Sequence, residues 1–355
     1  MNVLVTGGAG FIGANFVHYL HRAEPTAALV TFDLLTYAGN LANLAPLEGS
    51  PRHRFVRGDV TDAAAVDAVM RQGVEAVVHF AAESHVDRSI EDASAFVRTN
   101  VLGTQVLLEA ARRHGIGRFV HVSTDEVYGS LGPEGRFDEA SPLCPTSPYA
   151  ASKAASDLIV QAYGRTHGLP VIVTRCSNNY GPYQFPEKVI PLFITNALDD
   201  KPLPLYGDGL NVRDWIYVED HCAALHALLL RGRVGEVYNI GAETELANRT
   251  LTTAILGELR KPETLIRYVT DRLAHDRRYA IDAGKLRREL GWAPRYAFAE
   301  RLAATVAWYR DNRPWWEAVK SGRYRDYYER MYRTRLETGQ GAAPATGASA
   351  GPRGQ

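Results

Sequence analysis

Apolar residues along this chain fall into two periods. Short runs rich in β-branched residues, Val3 to Thr6, Ala28 to Phe32, Arg54 to Arg57, Ala76 to Phe80, Phe119 to Ser123 and Val171 to Thr174, read as strands buried on both faces. Between them, stretches near 11 to 22, 62 to 71, 92 to 113 and 149 to 168 carry apolar residues at helical spacing. This alternation predicts an α/β fold, a doubly wound parallel sheet with right-handed crossovers. From about Asn178 the rhythm breaks into Pro- and Gly-rich loops, short strands and helices near 189 to 199, 219 to 231, 249 to 260, 283 to 290 and 299 to 312. A smaller C-terminal subdomain is expected there, with some chain crossing back to the sheet.

Composition narrows the class. With 46% hydrophobic and 23% charged residues, 355 residues can bury one large domain and a smaller one. Forty basic residues balance forty acidic ones, so no global field attracts nucleic acid or an anionic membrane. Cys144, Cys176 and Cys222 are widely spaced without a CxxC pair, which argues against a disulfide framework or a metal site and for a reducing cytoplasm. The opening MNVLVTGGAGFIG reads as a buried strand and its turn rather than a signal peptide. From about Thr338 to Gln355 there is almost nothing to bury, and a disordered tail is expected.

The first strand leads directly into Gly7, Gly10 and Gly13, which open a helix. Glycine is needed where a turn is tight and backbone must approach a pyrophosphate, and the helix N-terminus offers free N–H groups to the phosphates. Asp33 ends the second strand, placed to accept hydrogen bonds from both ribose hydroxyls and to repel a 2'-phosphate, so NAD is favoured over NADP. Asp59 closes the third strand, positioned to meet the adenine. The fold is thus expected to be of Rossmann type, with residues 1–177 binding NAD and 178–335 mainly binding substrate.

Tyr149 and Lys153 lie four residues apart on a predicted helix and share one face. A nearby ammonium and the positive nicotinamide ring would both favour a phenolate over a phenol of ordinary pKa near 10. Ser123 and Thr124 end the fifth strand, on the sheet edge where ligands of such folds bind. Asp125 and Glu126 follow, an adjacent pair able to divide general-acid and general-base duty if their surroundings separate their pKa values. Successive strand residues point to opposite faces, so both acids reach one ligand only if the chain leaves strand geometry here. The glycine turn, Ser/Thr pair and YxxxK resemble the short-chain dehydrogenases, and the length resembles their extended branch.

Longer strings sharpen the resemblance. AAESHVDRSI (81–90), STDEVYGS (123–130), SPYAASK (147–153), RCSNNYGPYQFPEKVIP (175–191), YGDGLNVRDWIYVEDH (206–221) and HDRRYAIDAGKLRRELGW (275–292) closely resemble dTDP-D-glucose 4,6-dehydratases, a likeness running from Val3 to about Arg335. It implies that Tyr149 takes the C4 hydroxyl proton during oxidation by NAD, Glu126 removes the C5 proton, and Asp125 protonates the departing C6 hydroxyl. By the same carry-over, Phe11, Ile12, Asp33, Leu34, Leu35, Thr36, Asp59, Val60, Phe80, Ala81, Ala82, Thr99, Tyr149, Lys153 and Asn179 join the glycines as cofactor contacts. Ser84, Thr124 and Asn178 correspond to sugar-side contacts. Lys188, Val189, Pro204, Leu205, Tyr206, Arg213, Asn248, Asp271, Arg272 and His275 resemble the nucleotide diphosphate site; no metal is implied.

Two positions depart from the family pattern. Leu34 stands where many members carry a polar residue, removing one adenosine-side contact, and Leu273-Ala274 stand where Pro-Gly is common, altering the backbone of a loop that touches the nucleotide. The base preference, dTDP against UDP, is therefore less determined than the chemistry. The nearest alternative is a nucleotide-sugar 4-epimerase, which needs no acid/base pair; a non-catalytic NAD-sensing module would not need the candidate catalytic residues Thr124, Asp125, Glu126, Tyr149 and Lys153 together. Val101, Val106, Leu107, Leu158 and Ile159 on the helices near 92–113 and 149–168 agree with the family's pairing of these helices in a homodimeric four-helix bundle.

Overall fold

The computed structural model describes residues 1–321 and, beyond them, Tyr328, Tyr332 and Leu336. The tail expected from Thr338 to Gln355 lies outside the described residues. Strands β1 (Asn2–Thr6), β2 (Ala28–Asp33), β3 (His53–Arg57), β4 (Ala76–His79), β5 (Arg118–Thr124) and β6 (Val171–Cys176) form at the predicted β-branched runs. Short strands β7 (Asn178–Tyr180), β8 (Leu203–Tyr206), β9 (Val212–Tyr217), β10 (Val237–Ile240), β11 (Glu245–Ala247) and β12 (Ile266–Val269) follow. The large sheet is parallel, in the order β10-β6-β5-β4-β1-β2-β3. The strand order reverses at β1, beside β4, which makes the crevice between their carboxyl ends the natural ligand site.

Alternation along each strand feeds two cores. Val3 and Val5 of β1 pack with helices α1 (Phe11–Ala23) and α8 (Val218–Arg231), while Leu4 packs on the opposite face. That face is covered by α2 (Ala63–Met70), α5 (Thr104–Arg113) and α6 (Pro148–His167). Each fully buried side chain here, such as Phe16 or Phe119, contributes roughly 1.5–3 kcal/mol of transfer free energy. β3 departs from the expectation of burial on both faces: it has β2 as its single neighbour in the sheet, and none of its five residues is fully buried.

The helix expected over 92–113 is not uniform. A short α3 (Val86–Glu91) precedes it, and α4 (Ser94–Phe96) runs through a π-helical segment, Val97–Gly103, into α5. The wider turn presents Thr99 to the sheet's carboxyl edge, while Asn100 donates inward to the Glu83 carbonyl (3.0 Å) and the Ser152 hydroxyl (2.8 Å). The long α6 is well punctuated: the Ser147 hydroxyl accepts from the Ala150 N–H, Pro148 follows, and Gly168 closes it in the left-handed region.

Beyond Asn178 the chain divides. β10, α8 and α10 (Gly284–Leu290) return to the large sheet, while β7, β9 and β11 form a second sheet and β8 pairs with β12. A third core, including Phe193, Trp215, Tyr309 and Trp316, holds these with α7 (Val189–Leu198), α9 (Asn248–Leu259), α11 (Phe298–Asp311) and α12 (Arg313–Val319). Among the described residues no helix is long and apolar enough to cross a membrane.

Candidate active site

The carboxyl ends of the central strands open into a cavity of about 300 Å³. Its floor is the first glycine turn. Gly7 sits at φ 66°, where a Cβ would lie 2.5 Å from the Ala81 nitrogen, and a Cβ on Gly13 would lie 2.3 Å from the Gly7 carbonyl. Only hydrogen fits at either position. Gly10 caps α1 without a side-chain bond, and the first turn carries no acid, so its N–H groups and partial positive charge are left for an anion.

Asp33 accepts from the Ala9 N–H at 3.0 Å and the Leu35 N–H at 2.8 Å, and each oxygen keeps a lone pair for a ribose hydroxyl. Burial raises its pKa and these two N–H groups oppose the rise. Asp59 lines the cavity and also closes a turn onto the Thr61 N–H at 2.8 Å. Phe11, Ile12, Leu34, Thr36, Val60, Phe80, Ala81, Ala82, Thr99 and Asn179 line the same cavity. Leu35 does not. Its φ of 58° goes with a side chain packed against the core rather than lining the cavity.

At the end of β5 the chain changes geometry at the required residue. Asp125–Tyr128 forms a 3₁₀ turn capped by Thr124, whose hydroxyl accepts from the Glu126 N–H and donates to Asp125 Oδ1, both at 3.3 Å. Consecutive acids therefore both reach the cavity wall, beside Tyr149 and Lys153 from α6. Burial, the charge of Glu126 and that of Asp214 push the Asp125 carboxyl well above its ordinary value. Glu126 is also raised by burial, but Arg272, Lys188 and Arg213 draw it back toward the charged form. Asp125 is thus the more proton-retentive of the pair, and Glu126 the one that nearby cations hold closer to the charged form.

Tyr149 is held well above its usual pKa, chiefly by burial and then by Glu126, with a Thr124 hydrogen bond opposing. Lys153 donates to the Val122 carbonyl at 2.8 Å, and burial lowers its pKa to about 8 against the charge of Asp157. The expected phenolate is therefore not the state the site's own groups favour. A further positive charge next to the ring is needed to reach it.

A second cavity, about 150 Å³, adjoins the first. Glu126, Asn178, Glu187 and Lys188 line both, so a ligand can run from one into the other. Val189, Pro204, Leu205, Tyr206, Arg213, Asn248, Arg272 and His275 line the second, while Ser84 and Thr124 line the first. Arg213 lies over the Tyr279 ring, 4.2 Å from its centroid, and donates to the Asp276 carbonyl at 2.9 Å. Asp271 is not in the wall: its carboxylate is turned to His275 Nδ1 at 2.5 Å and to the Arg272 N–H, so it supports two wall residues instead. Asp125 Oδ2, Asn178 Oδ1, Asn248 Oδ1 and Arg272 Nε are buried without a protein partner, as in a site shaped for a polar ligand.

The sequence model of the GDP-mannose 4,6 dehydratase family matches residues 4–305. A curated dTDP-glucose 4,6-dehydratase of Streptomyces niveus is 57% identical over 325 residues, covering 90% of this chain and 96% of the relative. The chain belongs to the dTDP-glucose 4,6-dehydratase family. The crystal structure of DesIV, a dTDP-glucose 4,6-dehydratase of Streptomyces venezuelae with NAD bound, matches with a TM-score of 0.88 at 57% identity, over 90% of this chain and 100% of that one. An NAD-bound UDP-glucose 4-epimerase of Thermus thermophilus shares the fold, at a TM-score of 0.81 over 88% of this chain and 100% of the epimerase, but at 32% identity.

Within this dTDP-glucose 4,6-dehydratase family member, several wall residues were not singled out from the sequence: His85, Asp87, Glu187, Trp215 and Tyr279 in the second cavity, Ser177 and Gln184 in the first. All seven fall inside the quoted strings but carry no local pattern of their own. Asp87 sits on α3, a six-residue helix too short to show a period.

Proposed function

We propose that this chain converts dTDP-D-glucose to dTDP-4-keto-6-deoxy-D-glucose with net loss of one water, using an NAD regenerated in each cycle. What carries the reading is Asp125 and Glu126, consecutive acids in one cavity wall beside Tyr149 with their proton affinities split. When bound, NAD accepts hydride from C4 and later returns it to C6, and its positive ring is the cation that favours the Tyr149 phenolate. Tyr149 removes the C4 hydroxyl proton, with the Thr124 hydroxyl turning from Asp125 to donate to the C4 oxygen and Lys153 supplying a charged neighbour. Glu126 then takes the C5 proton, acidic once C4 is a ketone. Asp125 gives its proton to the C6 hydroxyl, which leaves as water. Glu126 returns its proton to C5 as C6 is reduced, and the proton Tyr149 took from the C4 hydroxyl replaces the one Asp125 gave to the departing water.

In this reading residues 1–177 hold mainly the dinucleotide and 178–335 mainly the nucleotide, with β10, α8 and α10 as the returning exception. Lys188 and Arg213 fit the diphosphate, since guanidinium donates paired hydrogen bonds to phosphate oxygens. Tyr206 offers a ring for the pyrimidine. We also assign a cytoplasmic homodimer joined through a four-helix bundle. Val97, Leu102 and Leu158, exposed at 55%, 47% and 58% on the helices that would pair, support it.

The deciding experiment incubates purified protein with dTDP-glucose or UDP-glucose, without added NAD, and follows the 4-keto-6-deoxy product by its absorbance in alkali. Product from dTDP-glucose is expected. Appearance of the C4 epimer instead, with no keto sugar, would transfer the chain to the epimerases.

A further inference from the structure

The second cavity has Lys188, Arg213 and Arg272 in its wall, yet three carboxylates share it. Glu126 belongs to the proposed chemistry, and Glu187 pairs with Arg88 at 3.3 Å. Asp87 takes no part in that chemistry, and the arginine it faces is one of the cavity's own. Coulomb repulsion alone says that an acid there weakens the binding of a diphosphate.

Its partners explain the placement. Asp87 is 6% exposed in the first turn of α3. Its Oδ2 accepts from the Tyr206 hydroxyl at 3.3 Å, and its Oδ1 lies 3.5 Å from the Arg272 guanidinium. α3 follows β4 of the large sheet, whereas Tyr206 ends β8 and Arg272 follows β12. One carboxylate therefore ties the two parts of the molecule across the cavity. The loop bearing Arg272 has little packing to hold it: Leu273 is 76% exposed and Ala274 takes φ 50°. Arg272 Nε is buried and unpartnered, so the guanidinium keeps a donor for a phosphate oxygen.

We propose that Asp87 is a positioning residue of the nucleotide site, holding the Arg272 guanidinium and the Tyr206 ring in the orientation that receives a nucleoside diphosphate. This rests on the reading that the second cavity binds the nucleotide. An arginine left loose must be ordered by the ligand, at the ligand's expense. Removing Asp87 therefore weakens binding even though it removes a negative charge from an anion site.

The test titrates full-length protein with dTDP by calorimetry, for wild type, Asp87→Asn, Asp87→Ala, Arg272→Ala and the Asp87→Ala/Arg272→Ala double variant. Asp87→Ala is expected to bind about tenfold more weakly, the order for releasing one or two rotamer-rich side chains. The double variant should bind within about twofold of Arg272→Ala, because the two residues act as a unit. In turnover, the loss should fall on KM rather than kcat. Asp87→Asn, nearly isosteric, carries the same comparison if the alanine variant does not fold. Unchanged or tighter binding, additive losses, or a fall in kcat at constant KM would overturn the proposal. Inorganic pyrophosphate serves as a second probe. A wild type that takes pyrophosphate but not dTDP refutes the nucleotide reading while the Asp87 comparison still stands, and one that takes neither refutes both.

Discussion

The two cavities meet at Glu126, Asn178, Glu187 and Lys188 but are built on different principles. The first is assembled from the ends of regular strands, where sheet register places Thr6, Asp33, His79 and Thr124 along one edge and a glycine turn adds a helix N-terminus. The second is assembled from loops, short strands and the helices α3, α7 and α9, whose wall residues, from His85 to Tyr332, come together only by packing. A site set by register depends on a few backbone positions. One set by packing depends on pairs such as Asp87–Arg272.

Substitution at the shared wall should have the largest effect. Glu126→Gln removes the C5 base and is expected to lower kcat by roughly 10²–10⁴-fold, while C4 oxidation, read as reduced nicotinamide accumulating on mixing with dTDP-glucose, persists. Absence of that signal would mean Glu126 acts before elimination.

The register-built half is tested at Gly13, where an added Cβ would stand 2.3 Å from the Gly7 carbonyl. Gly13→Ala should destabilise by about 1–3 kcal/mol through overpacking and lose retained NAD. A variant that keeps wild-type Tm and cofactor content would show that the turn can relax.

Titration gives a smaller effect. Lys153 must stay charged, and burial brings it to about 8, so the charged fraction, and activity with it, falls as pH rises through about 8. The acid limb should lie above the ordinary glutamate value, because burial raises Glu126, whose base form is lost as pH falls. A kcat profile flat across pH 8 would exclude Lys153 as the needed charge.

The smallest effect belongs to the packing-built half. Ala274 holds φ 50°, a conformation costing a non-glycine residue about 1–2 kcal/mol. Ala274→Gly relieves it, but glycine's freedom in the unfolded chain takes back about 0.4–1 kcal/mol. Tm should therefore rise only slightly. A large rise would show that the loop stores more strain than its backbone angle indicates.

How much was legible follows the same division. Asp33 and Thr124 could be read because each ends a strand, and Gly7 because it follows one, and strand ends are visible as the close of a β-branched run. Leu35 packs on the core and Asp271 turns to His275 and Arg272 rather than lining a cavity: neighbourhood in sequence does not tell which way a left-handed residue or a loop carboxylate turns. The π segment at Val97–Gly103 was likewise invisible, since its apolar spacing imitates an α-helix.

By itself the sequence determined the parallel sheet, the glycine turn and the presence of an acid pair beside YxxxK, because local periodicity and spacing are written in consecutive residues. Only the tertiary structure decided that Asp125 and Glu126 face one cavity, that Asp125 is the more proton-retentive of the two, and that Arg272 is held from across it. Those depend on the 3₁₀ turn after Thr124, on burial, and on which cations packing brings near. Desolvation and Coulomb energy are properties of surroundings in space.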